Sequence, residues 1–388
     1  MKHKPMMYPE DILTDDTYDF LNIERPVAAP LYQTSLFTFP TVQSLREALG
    51  DERSTHLYSR GNNPTVEQVE KRLALLEGGE CAKLFSSGVA AIASAILSNV
   101  EQGSHIICST DAYTWAKYIS GTYLKRFGIT VTFVDTTNLQ AVEQAITKQT
   151  KVIYLESPGT LMLRVQDLRK LAALARTHGI TTIVDNTWAT PIYQNPLQFG
   201  IDLVVHSASK YIGGHSDIIG GVVVGSKERV DHIFKTEFLP IGHVPDPFQA
   251  WLIQRGMRTL HVRLDYHYQS ALKVCDFLYD HAAVEQVYYP MHPKSPYYAL
   301  ASSQMSGGSG LLSVHLKSSN RDKIEQAVDA MKMFRLGVSW GGYESLVFPT
   351  LATKEGDPSI LRLHIGLEHT QTILEDLDHA FSLLKETV

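Results

Sequence analysis

The chain has 388 residues, 44% hydrophobic and 20% charged, an ordinary globular composition with room for two or more domains and a large core. A net charge of −6 with no basic stretch argues against nucleic-acid binding, and no apolar run approaches the ~18 residues of a membrane span. Cys81, Cys108 and Cys275 form no CxxC pair or metal spacing, and MKHKPMMYPEDIL lacks the apolar core of a signal peptide, so buried thiols in a cytoplasmic protein are expected.

Residues 1–60 show no regular period. Pro26, Pro30 and Pro40 interrupt them, and the stretch reads as an extended arm contacting a neighbouring subunit. At Asn63 the pattern changes. NPTVEQVEKRLALLEGGE opens with an asparagine N-cap and Pro64 at the first helical position. It carries Val66, Val69, Leu73 and Leu76 at helical spacing and stops at Gly78-Gly79. Strands and helices then alternate. AKLF precedes the helix VAAIASAILSNV, whose 13-residue parent run GVAAIASAILSNV reads as buried. SHIICST and ITVTFVD are strands, NLQAVEQAIT is helical, and KVIYLESP is a strand. The helix DLRKLAALARTHG is followed by the strands TTIVDN, DLVVHSAS and GGVVVG. This order predicts β-α-β units and a mostly parallel sheet covered on both faces, within a domain over residues 61–245. Residues 246–388 begin with helical PFQAWLIQRGMRTLHVRLDYHYQSALKVCDFLYDH. They continue with strand-like GLLSVHL and LRLHIGLE, with helices between and after. They read as a second, smaller α/β domain.

Ligands of open parallel sheets bind at the carboxyl ends of the strands. Three such ends carry chemistry here. Ser86-Ser87-Gly88-Val89 lies between a strand and a helix, where free N–H groups suit a phosphate; alone it is equally a turn and a cap. Asp185 ends TTIVD, where a carboxylate needs a cationic or hydrogen-bonded partner, unless it simply caps the segment after it. Lys210 follows VVHSAS. A lysine there is costly unless it is neutralised, paired or covalently used, the alternative being a surface loop. Ser207 and Ser209 beside it can hold a phosphate, and Gly213-Gly214 relax the backbone beyond. A phosphate cup, a carboxylate and a lysine are the set that pyridoxal phosphate requires. Tyr113, after the strand SHIICST, offers a ring to stack on the cofactor, or is an ordinary core or surface aromatic.

The stretches YSRGNNPTVEQVEKRLALLEGG, SSGVAAI, DAY, LESPGT, VDNTWATP, SASKYIGGHSD, SGLLSVHL and LRLHIGLE resemble, in order, those of the Cys/Met-metabolism pyridoxal-phosphate enzymes. That family includes cystathionine β-lyases, cystathionine γ-synthases, cystathionine γ-lyases and methionine γ-lyases. The resemblance covers nearly the whole chain. It implies the fold type I, aspartate aminotransferase-like architecture and pyridoxal 5′-phosphate as cofactor. It implies that Lys210 carries the cofactor as a Schiff base and that Asp185 pairs with the ring nitrogen. Tyr113 would stack over the ring. Gly88, Val89, Ser207 and Ser209 would hold the phosphate, and Tyr58 and Arg60 would reach the phosphate of a neighbouring subunit's cofactor. Arg362 would bind the substrate carboxylate, with Ser339 nearby. His206 and His215 read as structural, with no third ligand spaced for a metal. The resemblance also implies a homotetramer built from dimers.

The segment VSWGGYESL, residues 338–346, separates the members of the family. Trp340 and Tyr343 match the bacterial cystathionine β-lyase pattern. Val338 stands where that pattern has tyrosine and the γ enzymes have glutamate, and Thr160 stands where many γ enzymes have asparagine. The expected reaction is β-elimination, L-cystathionine to homocysteine, pyruvate and ammonia. The alternatives are a cystathionine γ-lyase or γ-synthase, a methionine γ-lyase, or a pyridoxal-phosphate-binding regulatory protein.

Overall fold

A computed structural model describes residues 8–14 and 27–384. Seven strands form the larger sheet: β1 (Cys81–Phe85), β2 (His105–Ser109), β3 (Thr130–Val134), β4 (Thr150–Glu156), β5 (Thr181–Asp185), β6 (Leu203–Ser207) and β7 (Gly221–Gly225). Their spatial order is β1-β7-β6-β5-β4-β2-β3. Only β7 runs antiparallel to its neighbours; β3, β2, β4, β5 and β6 pair in parallel.

The strands are apolar on both faces because helices cover both. Ile106, Cys108, Tyr154, Ile183 and Val205 pack toward the helix Gly88–Leu97. Alternate residues Ile107, Ile153, Leu155, Val184 and Val204 pack toward the helix Leu168–Thr177. This is the period of two of a strand buried on both sides. The helix Pro64–Glu77 has the ends read from sequence: the Asn63 side chain accepts from Thr65 N–H, and Gly78 closes it with φ +74°.

The chain runs from β2 outward to β3 and returns to β4 on the other side of β2. The strand order therefore reverses between β2 and β4, the place where open sheets leave a crevice at their carboxyl ends.

The second sheet contains β8 (Val284–Tyr288), β9 (Leu311–Leu316), β10 (Arg335–Leu336), β11 (Leu346–Pro349) and β12 (Ile360–His364). Its order is β10-β11-β12-β9-β8, antiparallel except for β10 and β11. It shares one apolar core with the helices Leu260–Asp280, Arg321–Asp329 and Thr370–Ser382.

Residues 1–60 are not wholly extended. Pro9–Thr14 and Val42–Gly50 are helical. The second begins with a capping box in which Thr41 and Ser44 exchange side-chain bonds. Residues 1–7 and 15–26 of the expected arm lie outside the described residues.

Candidate active site

The turn after β6 places Lys210. The N–H of Lys210 donates to Ser207 O at 3.1 Å, and Gly213 and Gly214 fold back onto Ala208 O and Lys210 O. Gly214 has φ +70°, and a side chain there would strike the Arg263 guanidinium. That guanidinium holds Tyr211 O at 2.9 Å. Lys210 thereby enters a cavity of about 420 Å³. Its Nζ donates to Ser339 Oγ at 2.6 Å and lies 5.5 Å from the centre of a Trp340 ring. Burial first, then repulsion from Arg362, brings its amine down to about 8, against attraction from Asp185.

Asp185 is 8% exposed at the end of β5. One of its oxygens accepts from both the N–H and the hydroxyl of Thr187, at 2.9 and 2.5 Å. Thr187 Oγ1 also accepts from Ser207 N–H at 2.8 Å, tying β5 to the start of the lysine turn. Burial raises the Asp185 carboxyl above its ordinary value, against the Thr187 hydrogen bonds and the charges of His206 and Lys210.

The helix Gly88–Leu97 is capped by Ser87, whose Oγ accepts from Ala90 N–H at 3.1 Å. The N–H groups of Gly88 and Val89, in its first turn, have no intrahelical partner. A Cβ on Gly88 would lie 2.9 Å from Ser207 Cβ, so only glycine lets helix and β6 turn close into a cradle. Ser209 Oγ lines the same cavity, accepting from Gly220 N–H at 3.0 Å. The cradle offers N–H groups and hydroxyls, and the lysine and Asp185 share its cavity. This donor set fits a phosphate, an aldehyde and a ring nitrogen, the three ends of pyridoxal phosphate.

Tyr113 and Glu156 stand at the crevice between β2 and β4. Tyr113 is 40% exposed and its N–H donates to Glu156 Oε2 at 2.6 Å. Thr160 Oγ1 meets Glu156 Oε1 at 2.5 Å. Arg362, on β12, donates to Val338 O at 2.8 Å and makes no ion pair among the described residues. Its guanidinium is therefore available to an incoming carboxylate.

Lys210, Asp185, Tyr113, Gly88, Val89, Ser207, Ser209, Arg362, Ser339 and Trp340 all line the one cavity. Tyr58 and Arg60 do not; both are exposed. His206 is buried against Glu77 at 2.9 Å, and His215 bonds Gly213 O. No cluster of metal-ligating side chains occurs among the described residues. Glu156 and Thr187 are site residues that the sequence reading did not assign. Glu156 carried the signal that singled out Asp185, an acid ending an apolar strand. Thr187 carried none, being one hydroxyl in a loop. Among the described residues no helix is long and apolar enough to cross a membrane.

The chain is 37% identical over 374 residues to an L-methionine gamma-lyase of Porphyromonas gingivalis, covering 92% of this chain and 93% of that one. It is 37% identical over 369 residues to a cystathionine beta-lyase of Lactococcus lactis subsp. cremoris, with 91% and 93% covered. Its fold superposes with a TM-score of 0.91 on the metY protein of Campylobacter jejuni subsp. jejuni, solved with N′-pyridoxyl-lysine-5′-monophosphate. That pair is 27% identical, with 97% and 100% of the chains covered. The fold is that of the pyridoxal-phosphate-dependent fold type I enzymes. The pattern of the Cys/Met metabolism PLP-dependent enzymes spans residues 19–382, and with it the chain belongs to that family of carbon–sulfur lyases and related enzymes, whose cofactor is pyridoxal 5′-phosphate.

Proposed function

We propose that this chain is a carbon–sulfur lyase of the cystathionine β-lyase type, breaking the Cβ–S bond of L-cystathionine to give homocysteine, pyruvate and ammonia. The observation that carries this reading is the segment 338–346 against the lysine. Trp340 stands beside Lys210 Nζ, and position 338, on the cavity wall, is an apolar valine rather than a carboxylate able to hold a distal amine.

Bound in the cradle, pyridoxal phosphate supplies an aldehyde that takes up an amine and a ring that accepts electrons from the substrate's α-carbon. The residues divide the remaining work. Gly88, Val89, Ser207 and Ser209 hold the phosphate. Asp185 keeps the ring nitrogen protonated, and Tyr113 covers the ring. Arg362 takes the substrate carboxylate through paired N–H donors. Lys210, with its amine lowered toward neutrality, takes the proton from Cα, and Ser339 holds Nζ in place. The departing sulfur receives its proton from Lys210 or Tyr113. Positioned proton transfer contributes ~10²–10⁴-fold.

A second reading is γ-elimination, favoured by the relatives named L-methionine gamma-lyase. Purified holoenzyme with L-cystathionine separates the two. Pyruvate with homocysteine is the expected product pair. 2-Oxobutyrate with cysteine would overturn the β reading, and no keto acid at all would move the chain to γ-synthesis or to a regulatory role.

A further inference from the structure

Two acids end neighbouring strands at the floor of the cavity. Glu156 closes β4 and Asp185 closes β5, and they are direct partners across the parallel ladder. Both side chains therefore leave the same face of the sheet. Glu156 is half-buried and borders the cavity. Among the described residues, no lysine, arginine or histidine forms an ion pair with either acid. Arg164, in the adjoining loop, is taken by Asp111 and Asp135.

Each acid receives one N–H and one threonine hydroxyl, Asp185 both on a single oxygen and Glu156 one on each oxygen. Asp185 receives only donors, from Thr187 N–H and O–H, which favour its ionised form. Glu156 accepts on its two oxygens separately, from Tyr113 N–H at 2.6 Å on Oε2 and from the Thr160 hydroxyl at 2.5 Å on Oε1. A neutral carboxyl keeps both contacts: its carbonyl accepts from Tyr113, and the Thr160 hydroxyl, which can rotate, turns to accept its O–H. Two carboxylates side by side on one face do not both ionise without a large cost, and the charges of His206 and Lys210 favour Asp185 as the ionised one.

We infer that Glu156 is held as a neutral carboxylic acid and is the positioning residue that joins Tyr113 to Thr160, leaving Asp185 as the charged member of the pair. The helix Thr114–Tyr118 has no side-chain cap of its own at Tyr113, so the Glu156 carboxyl fixes where the Tyr113 ring stands over the cavity. The groups facing Glu156 agree with a neutral state. They are Asp185 from β5, Asp111 and Tyr113 from the segment after β2, Cys108 from β2 and Tyr154 from its own strand. Burial is the largest cause holding its carboxyl up at about 8, and repulsion from Asp185 is next. Hydrogen bonds from Thr160 and Tyr113 oppose them. The inference does not depend on which carbon–sulfur bond is broken.

Glu156→Gln and Glu156→Ala test it in the holoenzyme. The glutamine reproduces the neutral acid, accepting from Tyr113 and donating to Thr160; the alanine removes both bonds. We expect kcat/KM to fall about tenfold or more in the alanine variant, as misplaced site groups do, and to return to near the wild-type value in the glutamine variant. Stability supplies a second reading. A carboxyl held above its ordinary value in the folded chain loses stability as pH rises toward that raised value. The Tm of Glu156→Gln, relative to wild type, should therefore climb between about pH 5 and about pH 8. A flat difference would overturn the neutral acid. An alanine variant as active as wild type would overturn the positioning role. The Tm comparison uses the glutamine variant alone, so a poorly folding alanine variant leaves the test intact.

Discussion

Lys210 sits between a repelling Arg362 and an attracting Asp185, in a site that desolvates its ammonium. Burial and Arg362 together outweigh Asp185, so the amine titrates at about 8, against ~10.4 for an ordinary lysine. The free amine therefore predominates above that pH and the ammonium below it. In the cofactor-free chain, acylation of Lys210 by an amine-directed reagent should rise with pH through a midpoint near 8, well before surface lysines react. Arg362→Leu removes a neighbouring cation, and the midpoint should move upward; peptide mapping of the acylated lysine checks both. An unmoved midpoint would leave burial as the sole cause. At this scale much was legible in advance. Asp185 ends an apolar run and Lys210 follows one through the small residues Ser207, Ala208 and Ser209, a pattern that physics reads directly. Arg362 was not legible that way. In LRLHIGLE it is one charge in a strand, and only the family resemblance assigned it, because its role rests on Val338 and Ser339 approaching from another segment.

At the scale of elements, the 338–346 segment reaches the lysine only by a close backbone approach. Gly341 has φ +86°, and a Cβ there would lie 2.8 Å from Tyr211 N and 2.9 Å from Lys210 Cα. Those neighbours are backbone and have nowhere to move. At Gly342 a Cβ would meet only the ends of the Ser216 and Glu344 side chains, which can turn away. Gly341→Ala should therefore cost about 1–2 kcal/mol in left-handed strain alone. By shifting Ser339 off Lys210 Nζ it should lower kcat/KM by about tenfold or more. Gly342→Ala should be the milder change on both counts, thermal unfolding and steady-state kinetics giving the comparison. Equal losses at the two positions would mean that the approach to Lys210 is not what Gly341 protects. The pair GG is visible in sequence, but which glycine faces the lysine is set by packing between distant segments. The same limit hid β8, β10 and β11. β10 is two exposed residues, and β8 carries Glu285 and Gln286 on an exposed stretch. Neither shows the apolar run or clean alternation that marked β2, β4, β5 and β6. The helix Val42–Gly50 was concealed by the prolines around it, although Thr41 and Ser44 already had capping-box spacing.

At the scale of the molecule, the cavity of one chain is short of positive charge. In the proposed function Lys210 is committed to the cofactor aldehyde and Arg362 to a substrate carboxylate, and the cradle of Gly88, Val89, Ser207 and Ser209 offers only dipoles to a phosphate. Arg60 is exposed and makes no ion pair among the described residues, and neither it nor Tyr58 lines its own chain's cavity. Trp115, Tyr118 and Tyr123 are also 40–51% exposed, an apolar surface of the kind that subunits cover. We propose that Arg60 and Tyr58 complete the phosphate cradle of a second copy. In a two-fold dimer the exchange is mutual, so each site takes its lysine from one chain and its arginine from the other. Lys210→Ala and Arg60→Ala should each be nearly inactive alone. In a mixed dimer of the two, one site carries both lesions and the other carries neither. Co-expressed at equal levels, the variants should recover up to about a quarter of wild-type activity, since half of the dimers are mixed and half of their sites are intact. Differently tagged chains, purified through both tags in turn, isolate the mixed dimer for assay. Activity in that fraction would establish the shared site. A mixed dimer as inactive as its parents would confine each site to a single chain, and the phosphate's counter-charge would then have to come from elsewhere in the fold.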